Sequence, residues 1–158
     1  MPAGVSIIDF EPAHQIAFRL LNYEVNYEWI SRYFNVEEPD NQSLDYPQRR
    51  ILDTGGHILM AVHAGEIVGT CALVKEHDGV YELAKMAVAL RAQRLGIGYA
   101  LGQCILGKAQ QMGARRVAVM LDSTMQPALA LYDKLGFRPA PLRPMPYYRG
   151  DTCMVLDF

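Results

Sequence analysis

The spacing of hydrophobic positions changes along this chain, and each change marks an element. Val5 to Phe10 reads as a strand. Pro12 suits an early helical position, and Ile16, Leu20 and Leu21 come after it as a helical stripe. A second helical patch runs from Glu24 to Phe34, and the polar, acidic stretch Asn35 to Asp45 reads as loop. Pro47 to Asp53 reads as a short helix stopped by Gly55-Gly56. His57 to His63 and Glu66 to Lys75 form a hairpin through Ala64-Gly65. Asp78-Gly79 turns into a third apolar strand, Tyr81 to Leu90. Ile97, Ala100, Leu101, Cys104, Ile105, Lys108, Ala109 and Met112 then keep the 3.6-residue period, and Gly113 ends that helix. Val117 to Leu121 is a buried strand, and Pro127 to Leu135 a helix closed by Gly136. Thr152 to Phe158 is a last strand, with Asp157 interrupting its apolar residues. The expected class is mixed α/β: hairpins first, strand–helix–strand–helix after.

The gross numbers narrow the field. A chain of 158 residues fits one domain, 1–158, and can bury a core. It is 51% hydrophobic and 20% charged, with net charge −2. That balance gives no electrostatic case for nucleic acid or membrane. No apolar run reaches the ~18 residues of a spanning helix, and the start of the chain lacks a basic n-region. The expectation is therefore a cytoplasmic protein. Cys71, Cys104 and Cys153 are odd in number and form no CxxC, so they read as free thiols. His14, His57, His63 and His77 lack metal-ligand spacing, and no metal is expected.

The segment Gln93-Arg94-Leu95-Gly96-Ile97-Gly98-Tyr99 carries the most chemistry. It joins a strand to the start of a long helix. The first turn of a helix has unpaired N–H groups and a partial positive charge. Glycines let a phosphate approach that backbone closely. A dinucleotide fingerprint would need a third glycine where Leu101 stands, and a Walker loop would need Gly-Lys-Ser/Thr; both fail. There remains Gln93-x-x-Gly96-x-Gly98, with Ala130-Leu131-Tyr132-Asp133-Lys134-Leu135-Gly136-Phe137 downstream.

On those two motifs and their order, the chain resembles a GNAT-superfamily N-acetyltransferase. The resemblance covers residues 57 to 158 by motif, and 5 to 56 by element order alone. It implies a central mixed, largely antiparallel sheet, splayed at the cofactor site and flanked by helices. It also implies acetyl-CoA as co-substrate. The diphosphate would rest on the amides of Gln93, Arg94, Leu95, Gly96, Ile97, Gly98 and Tyr99. The pantetheine arm would lie along Met86, Ala87 and Val88 like an added strand.

The implied reaction sets the remaining requirements. An attacking amine must be neutral, and a lysine-like amine with a pKa of about 10.4 is neutral in about one part in 10³ at pH 7. A general base helps, and a general acid can protonate the leaving thiolate. By the resemblance, Glu82 is the candidate base, directly or through a water, and Tyr132 the candidate acid; read from the residues alone, Glu82 also fits a salt-bridged or solvent-facing carboxylate and Tyr132 a core aromatic. Period-two alternation would put Glu82, Ala84 and Met86 on one face. Asp122 stands where many relatives have asparagine. It is a candidate cofactor contact, although a carboxylate only accepts hydrogen bonds and can instead cap the next segment, leaving Ser123 and Thr124 as substitute donors. The acceptor site is implied in the first two helices and the loop between the last two strands. There Glu28, Trp29, Tyr147 and Arg149 offer aromatics with both charge signs, suited to a small-molecule or peptide amine. The same aromatics also fit core or homodimer contacts. A non-catalytic acyl-CoA-binding module stays open as the alternative; it would need the glycine turn but neither Glu82 nor Tyr132.

Overall fold

The computed structural model describes residues 2–33, 43–142 and 150–158, with the side chains of 26–33 outside that description. Seven strands form one sheet in the order β1-β2-β3-β4-β5-β7-β6. They are β1 Val5–Asp9, β2 His57–His63, β3 Glu66–His77, β4 Val80–Val88, β5 Arg116–Leu121, β6 Arg138–Ala140 and β7 Thr152–Asp157. All neighbours are antiparallel except β4 and β5, which run parallel and are joined through a helix. The helices are α1 Gln15–Tyr33, α2 Ile97–Gln111 and α3 Gln126–Leu135. This is the mixed, largely antiparallel sheet that the sequence led us to expect.

The N-terminal third departs from expectation in detail. The two helical patches are one continuous helix, α1. Of the expected stripe Ile16, Leu20 and Leu21, only Leu21 is buried; the side chains of Ile16 and Leu20 are 74% and 56% exposed. Phe18, Leu21 and Asn22 face the sheet, at the i, i+3, i+4 spacing of a helix face. Asn22 is spared a lost donor by bonding its Nδ2 to the Phe18 carbonyl at 2.9 Å, while its Oδ1 meets no partner among the described residues. Leu44, which fell in the expected loop, belongs to the core with Phe10, Phe18, Ile51, Ile58 and Met60. Residues 35–42 of that loop lie outside the described residues. Pro47–Asp53 contains one wide helical turn, Gln48–Leu52, which buries Ile51.

Two small features position the sheet's ends. A strand too short for periodicity to mark, β6, adds an edge beyond β7. The polar interruption Asp157 has a partner on each side. It takes two hydrogen bonds from Arg116 of β5, at 2.6 and 3.0 Å, and another from Arg138 of β6. These guanidinium bonds hold its carboxyl down at about 2.

The ladder fixes which helix covers which face. Ala72 of β3 shares a cluster with Phe18 of α1, so it points to the α1 side. Cys71, its neighbour, lies 3.8 Å from the Leu101 carbonyl of α2, so it points the other way. A Cβ at Gly69 would come within 3.1 Å of Leu101 and 3.3 Å of Ile97. Gly69 is thus the place where α2 comes down onto the sheet.

Gly56 tests the packing between the wide helical turn and β2. A Cβ there would run into the Leu73 carbonyl oxygen and stand 2.8 Å from that of Ile51. Neither backbone atom can step aside without breaking a strand or turn bond, so Gly56→Ala should cost ~3 kcal/mol. Thermal unfolding should then begin about 6–12 °C lower. A melting point within about 2 °C of the parent would contradict this packing.

Candidate active site

The parallel pair β4–β5 holds together only at its start. Val80, Tyr81 and Glu82 pair with Arg116, Val117 and Ala118, and the ladder ends there. Beyond it β4 continues to Val88 alongside β3, and β5 continues to Leu121 alongside β7. The two strands therefore diverge, leaving a cleft at their carboxyl ends, where open sheets of this kind take ligands.

A β-bulge shapes the β4 wall of the cleft. Ala84 pairs with Ala72 and Ala87 with Thr70, so Lys85 and Met86 together oppose Cys71. Lys85 takes a left-handed φ of 55° to do so. Cross-strand partners share a face, so Glu82, Ala84 and Ala87 join Val74, Ala72 and Thr70 on the α1 side. The expected grouping of Glu82 with Met86 is thereby corrected. The extra residue breaks the alternation, and Ala87 takes the place expected for Met86. Val88 returns to the α2 side, where a Cβ on Gly98 would meet its Cγ2 at 3.9 Å.

At the end of β4 the chain makes a tight turn, Leu90–Ala92, and enters the glycine segment. Arg94 and Gly96 adopt φ of 66° and 82°, and Gly96 is the residue that starts α2. No side chain caps this helix. Its first intrahelical bond runs from Ala100 N–H to the Gly96 carbonyl at 3.1 Å. The N–H groups of Ile97, Gly98 and Tyr99 therefore lack intrahelical partners and sit at the positive end of the helix dipole. Lys134 of α3 stands 4.5 Å over the Tyr99 ring, so a cation flanks the same turn. The backbone can hold a phosphate here.

Tyr132 is 3% exposed on α3, with its ring edge against Phe137 at 5.5 Å. α3 lies on α2. Leu131 faces Gly98, and Leu135 faces Gly102 so closely that a Cβ there would stand 2.5 Å from Leu135 Cδ1. Tyr132 therefore belongs to the α2 side. Burial pushes its phenol well above the ordinary 10.0, and the buried Cys71 thiol adds to the shift. Burial likewise raises Cys71 itself, with Cys104 adding to it. Glu82 is 4% exposed on the opposite face and is not free of partners.

At the end of β5, Asp122 behaves as a cap. Its Oδ1 accepts from Thr124 N–H at 2.9 Å and from Thr124 Oγ1 at 2.6 Å. Ser123 gives its N–H and hydroxyl to Asp151, both at 2.7 Å. The donors expected from Ser123 and Thr124 are thus already engaged. The Ser123 bonds hold the Asp151 carboxyl below its ordinary range. Tyr147 and Arg149 lie outside the described residues, as do the side chains of Glu28 and Trp29. Among the described residues no group of His, Cys, Asp and Glu could hold a metal ion. No helix among them is long and apolar enough to cross a membrane.

Strand order, split ladder and helix-start cradle together define an acetyltransferase fold. The family model described as "Acetyltransferase (GNAT) family" matches residues 23–137, and the chain belongs to that family. A GNAT-family acetyltransferase from Staphylococcus aureus Mu50 superposes with a TM-score of 0.83 at 17% identity, covering 97% of this chain and 98% of that one. A putative acetyltransferase from Salmonella typhimurium, solved with its cofactor acetyl-CoA, gives 0.76 at 18% identity, covering 98% and 94%. An uncharacterized N-acetyltransferase of Mycobacterium tuberculosis H37Rv is 35% identical over 81 residues, 51% of this chain and 52% of that protein. The chain thus spans about half the length of the curated relatives it matches.

The Tyr132 environment makes a prediction about pH. The folded phenol keeps its proton at pH values where the unfolded one, near 10.0, has lost it. The unfolded state then binds fewer protons, so stability present below that value falls as pH rises through it. Wild-type melting temperature should drop more steeply from about pH 9 to about pH 11 than that of Tyr132→Phe, which lacks the phenol. Cys71 adds a common decline to both proteins. Parallel curves would mean that Tyr132 is not shielded.

Proposed function

We propose that this protein transfers an acetyl group from acetyl-CoA to a primary amine of a small molecule or peptide, by direct attack. The observation that carries the reading is the split of β4 from β5 beside a helix start whose amides are uncapped. Ile97, Gly98 and Tyr99 would hold the diphosphate, with Gln93, Arg94, Leu95 and Gly96 shaping the turn. The edge of β4 from Met86 to Val88 would run beside the pantetheine. Bound there, acetyl-CoA supplies an activated thioester.

The two faces of the sheet give the reaction its direction. Glu82 lies on the α1 side and would take a proton from the incoming amine, directly or through a water. Tyr132 lies on the α2 side, with the cradle, and would give its proton to the departing thiolate. A phenol holds its proton at neutral pH, as a donor must; burial raises its pKa further and makes it a weaker acid, so its hydrogen bond to the thiolate is the part of the role that the site favours. Attack and departure pass through a tetrahedral intermediate, so base and acid need only reach that carbon and its substituents, and two faces of the sheet can supply them. On the acceptor side, Glu28, Trp29, Tyr147 and Arg149 remain our candidates for the amine's own contacts. The Asp122 cap on Thr124 makes a cofactor contact through that carboxylate secondary to its structural role.

Gly98→Asp tests the cradle. The new Cβ has ordinary contacts, 3.5 Å to Leu131 and 3.9 Å to Val88, and an acidic residue suits a helix start, so the fold should survive. Affinity for CoA should nevertheless fall by more than about tenfold as a carboxylate enters the phosphate position. Unchanged affinity in calorimetric titration would remove the cradle.

Turnover tests the two ionisable groups, read as free thiol released from acetyl-CoA with a panel of amines. Glu82→Gln should lower kcat/KM by ~10²-fold, and the deficit should shrink at high pH, where more amine is already neutral. Tyr132→Phe should lower kcat while leaving CoA affinity nearly intact. CoA binding with no thiol release from any amine would instead mark a binding module. A Glu82→Gln profile overlaying the parent's would return Glu82 to a structural carboxylate.

A further inference from the structure

Gln93 opens the glycine segment, yet its side chain reaches back, away from the helix start. Its Nε2 donates to the Val88 carbonyl at 3.0 Å. The ladder shows which edge that carbonyl occupies. Ala89 gives its N–H to Val68 of β3 at 2.8 Å, next to the Gly69–Val88 pair. In an antiparallel ladder, successive residues turn their backbone groups to alternate edges. Val88's own N–H and C=O therefore face away from β3, into the cleft. A side chain from the phosphate segment is thus bonded to the strand edge that would accompany the pantetheine.

We propose that Gln93 is a positioning residue, a latch that fixes the helix-start cradle relative to the splayed end of β4. The inference rests on the acetyl-CoA reading above. The first half of the link between β4 and α2 is anchored by buried Ala89 and Ala92 and by the Arg91–Glu66 pair at 3.1 Å, while the second half, from Gln93 on, makes fewer backbone bonds among the described residues. Ala92 N–H bonds Ala89 at 2.8 Å, Gln93 N–H bonds Leu90 at a long 3.4 Å, and Arg94 then turns left-handed. Coenzyme A is two ligands in one, an anionic nucleotide and an amide-bearing arm. Joined halves bind together well only when their two subsites keep the spacing of the linker. The latch sets that spacing before the ligand arrives, which lowers the ordering cost of binding. It also selects the chemistry of the edge. With one lone pair of its carbonyl taken, Val88 is left with its N–H as the donor of that edge, which suits a carbonyl oxygen of the arm at that point.

The test compares whole and half ligands. Gln93→Met keeps the side-chain length and removes the donor. In calorimetric titration its affinity for CoA should fall by about tenfold, the scale of one hydrogen bond. Its affinity for adenosine 3′-phosphate 5′-diphosphate, which keeps every phosphate and lacks the arm, should change by less than about twofold. Gln93→Arg restores an N–H donor with the reach to meet Val88. It should recover most of the ratio between the two ligands, even if its charge tightens both. Equal loss of both ligands in Gln93→Met would mean that Gln93 acts on the phosphates and would overturn the latch. No loss of either would overturn it too. A wild-type chain that does not bind CoA at all would instead overturn the acetyl-CoA reading itself.

Discussion

The end of the β4–β5 ladder at Glu82–Ala118 is the constraint on which the site depends. A sheet normally closes every backbone group between neighbouring strands, because an unpaired buried amide costs free energy. Here each strand satisfies one edge with its outer neighbour, β3 or β7, and leaves the other open. An open pair of edges is stable only if something with amides, or water, can sit between them. The split therefore belongs with a ligand rather than with a packing fault. Everything else at the site is arranged around it: the bulge at Lys85, the cradle at the end of β4, and α3 resting on α2.

The bulge explains how one strand serves two faces. Without it, strict alternation would put Glu82, Met86 and Val88 on one face. The extra residue shifts the phase, so that Ala84 and Ala87 stay with Glu82 under α1 while Val88 passes to α2. Small residues at 84 and 87 let α1 lie close to β4 on that side.

Much of this was legible in the chain. Long strands and the amphipathic helix α2 announce themselves by period, and Gln93-x-x-Gly96-x-Gly98 announces a turn into a helix start, because Gly96 can take the left-handed φ from which α2 begins. Helix α1 misleads because Ile16 and Leu20 are apolar yet point outward, while a polar residue, Asn22, points in and satisfies part of itself on the Phe18 carbonyl. Period alone cannot choose between two faces of comparable hydrophobicity. Strand β6 is invisible in the sequence because three residues show no alternation, and proline at its centre, Pro139, argues against a strand except at an edge, where it lies. The phase shift at Lys85 has no sequence signature of its own: lysine rarely takes a left-handed φ, and the conformation is imposed by the strands around it. The latch is hidden for a related reason. The glycine pattern speaks for the backbone at Gln93, and the partner of its side chain emerges only from the register of β3 with β4.

On the acetyl-CoA reading proposed above, anion selectivity would come from the cradle's backbone. The chain carries a net charge of −2, so its overall field does not draw a polyanion in. Among the described residues, exposed cations near the cradle are partly committed: Arg91 pairs with Glu66 at 3.1 Å, and Lys134 rests on the Tyr99 ring. Surface charges of this kind are screened within about 10 Å at ordinary salt. The helix-start amides would act at contact distance, where screening is weak and geometry is fixed by Gly96 and Arg94. Binding that rests on such dipoles should depend less on ionic strength than binding built from lysines and arginines. It should also be sensitive to the orientation of a few residues, which is why a single side-chain bond from Gln93 to Val88, at the hinge between cradle and strand, can matter to the ligand as a whole.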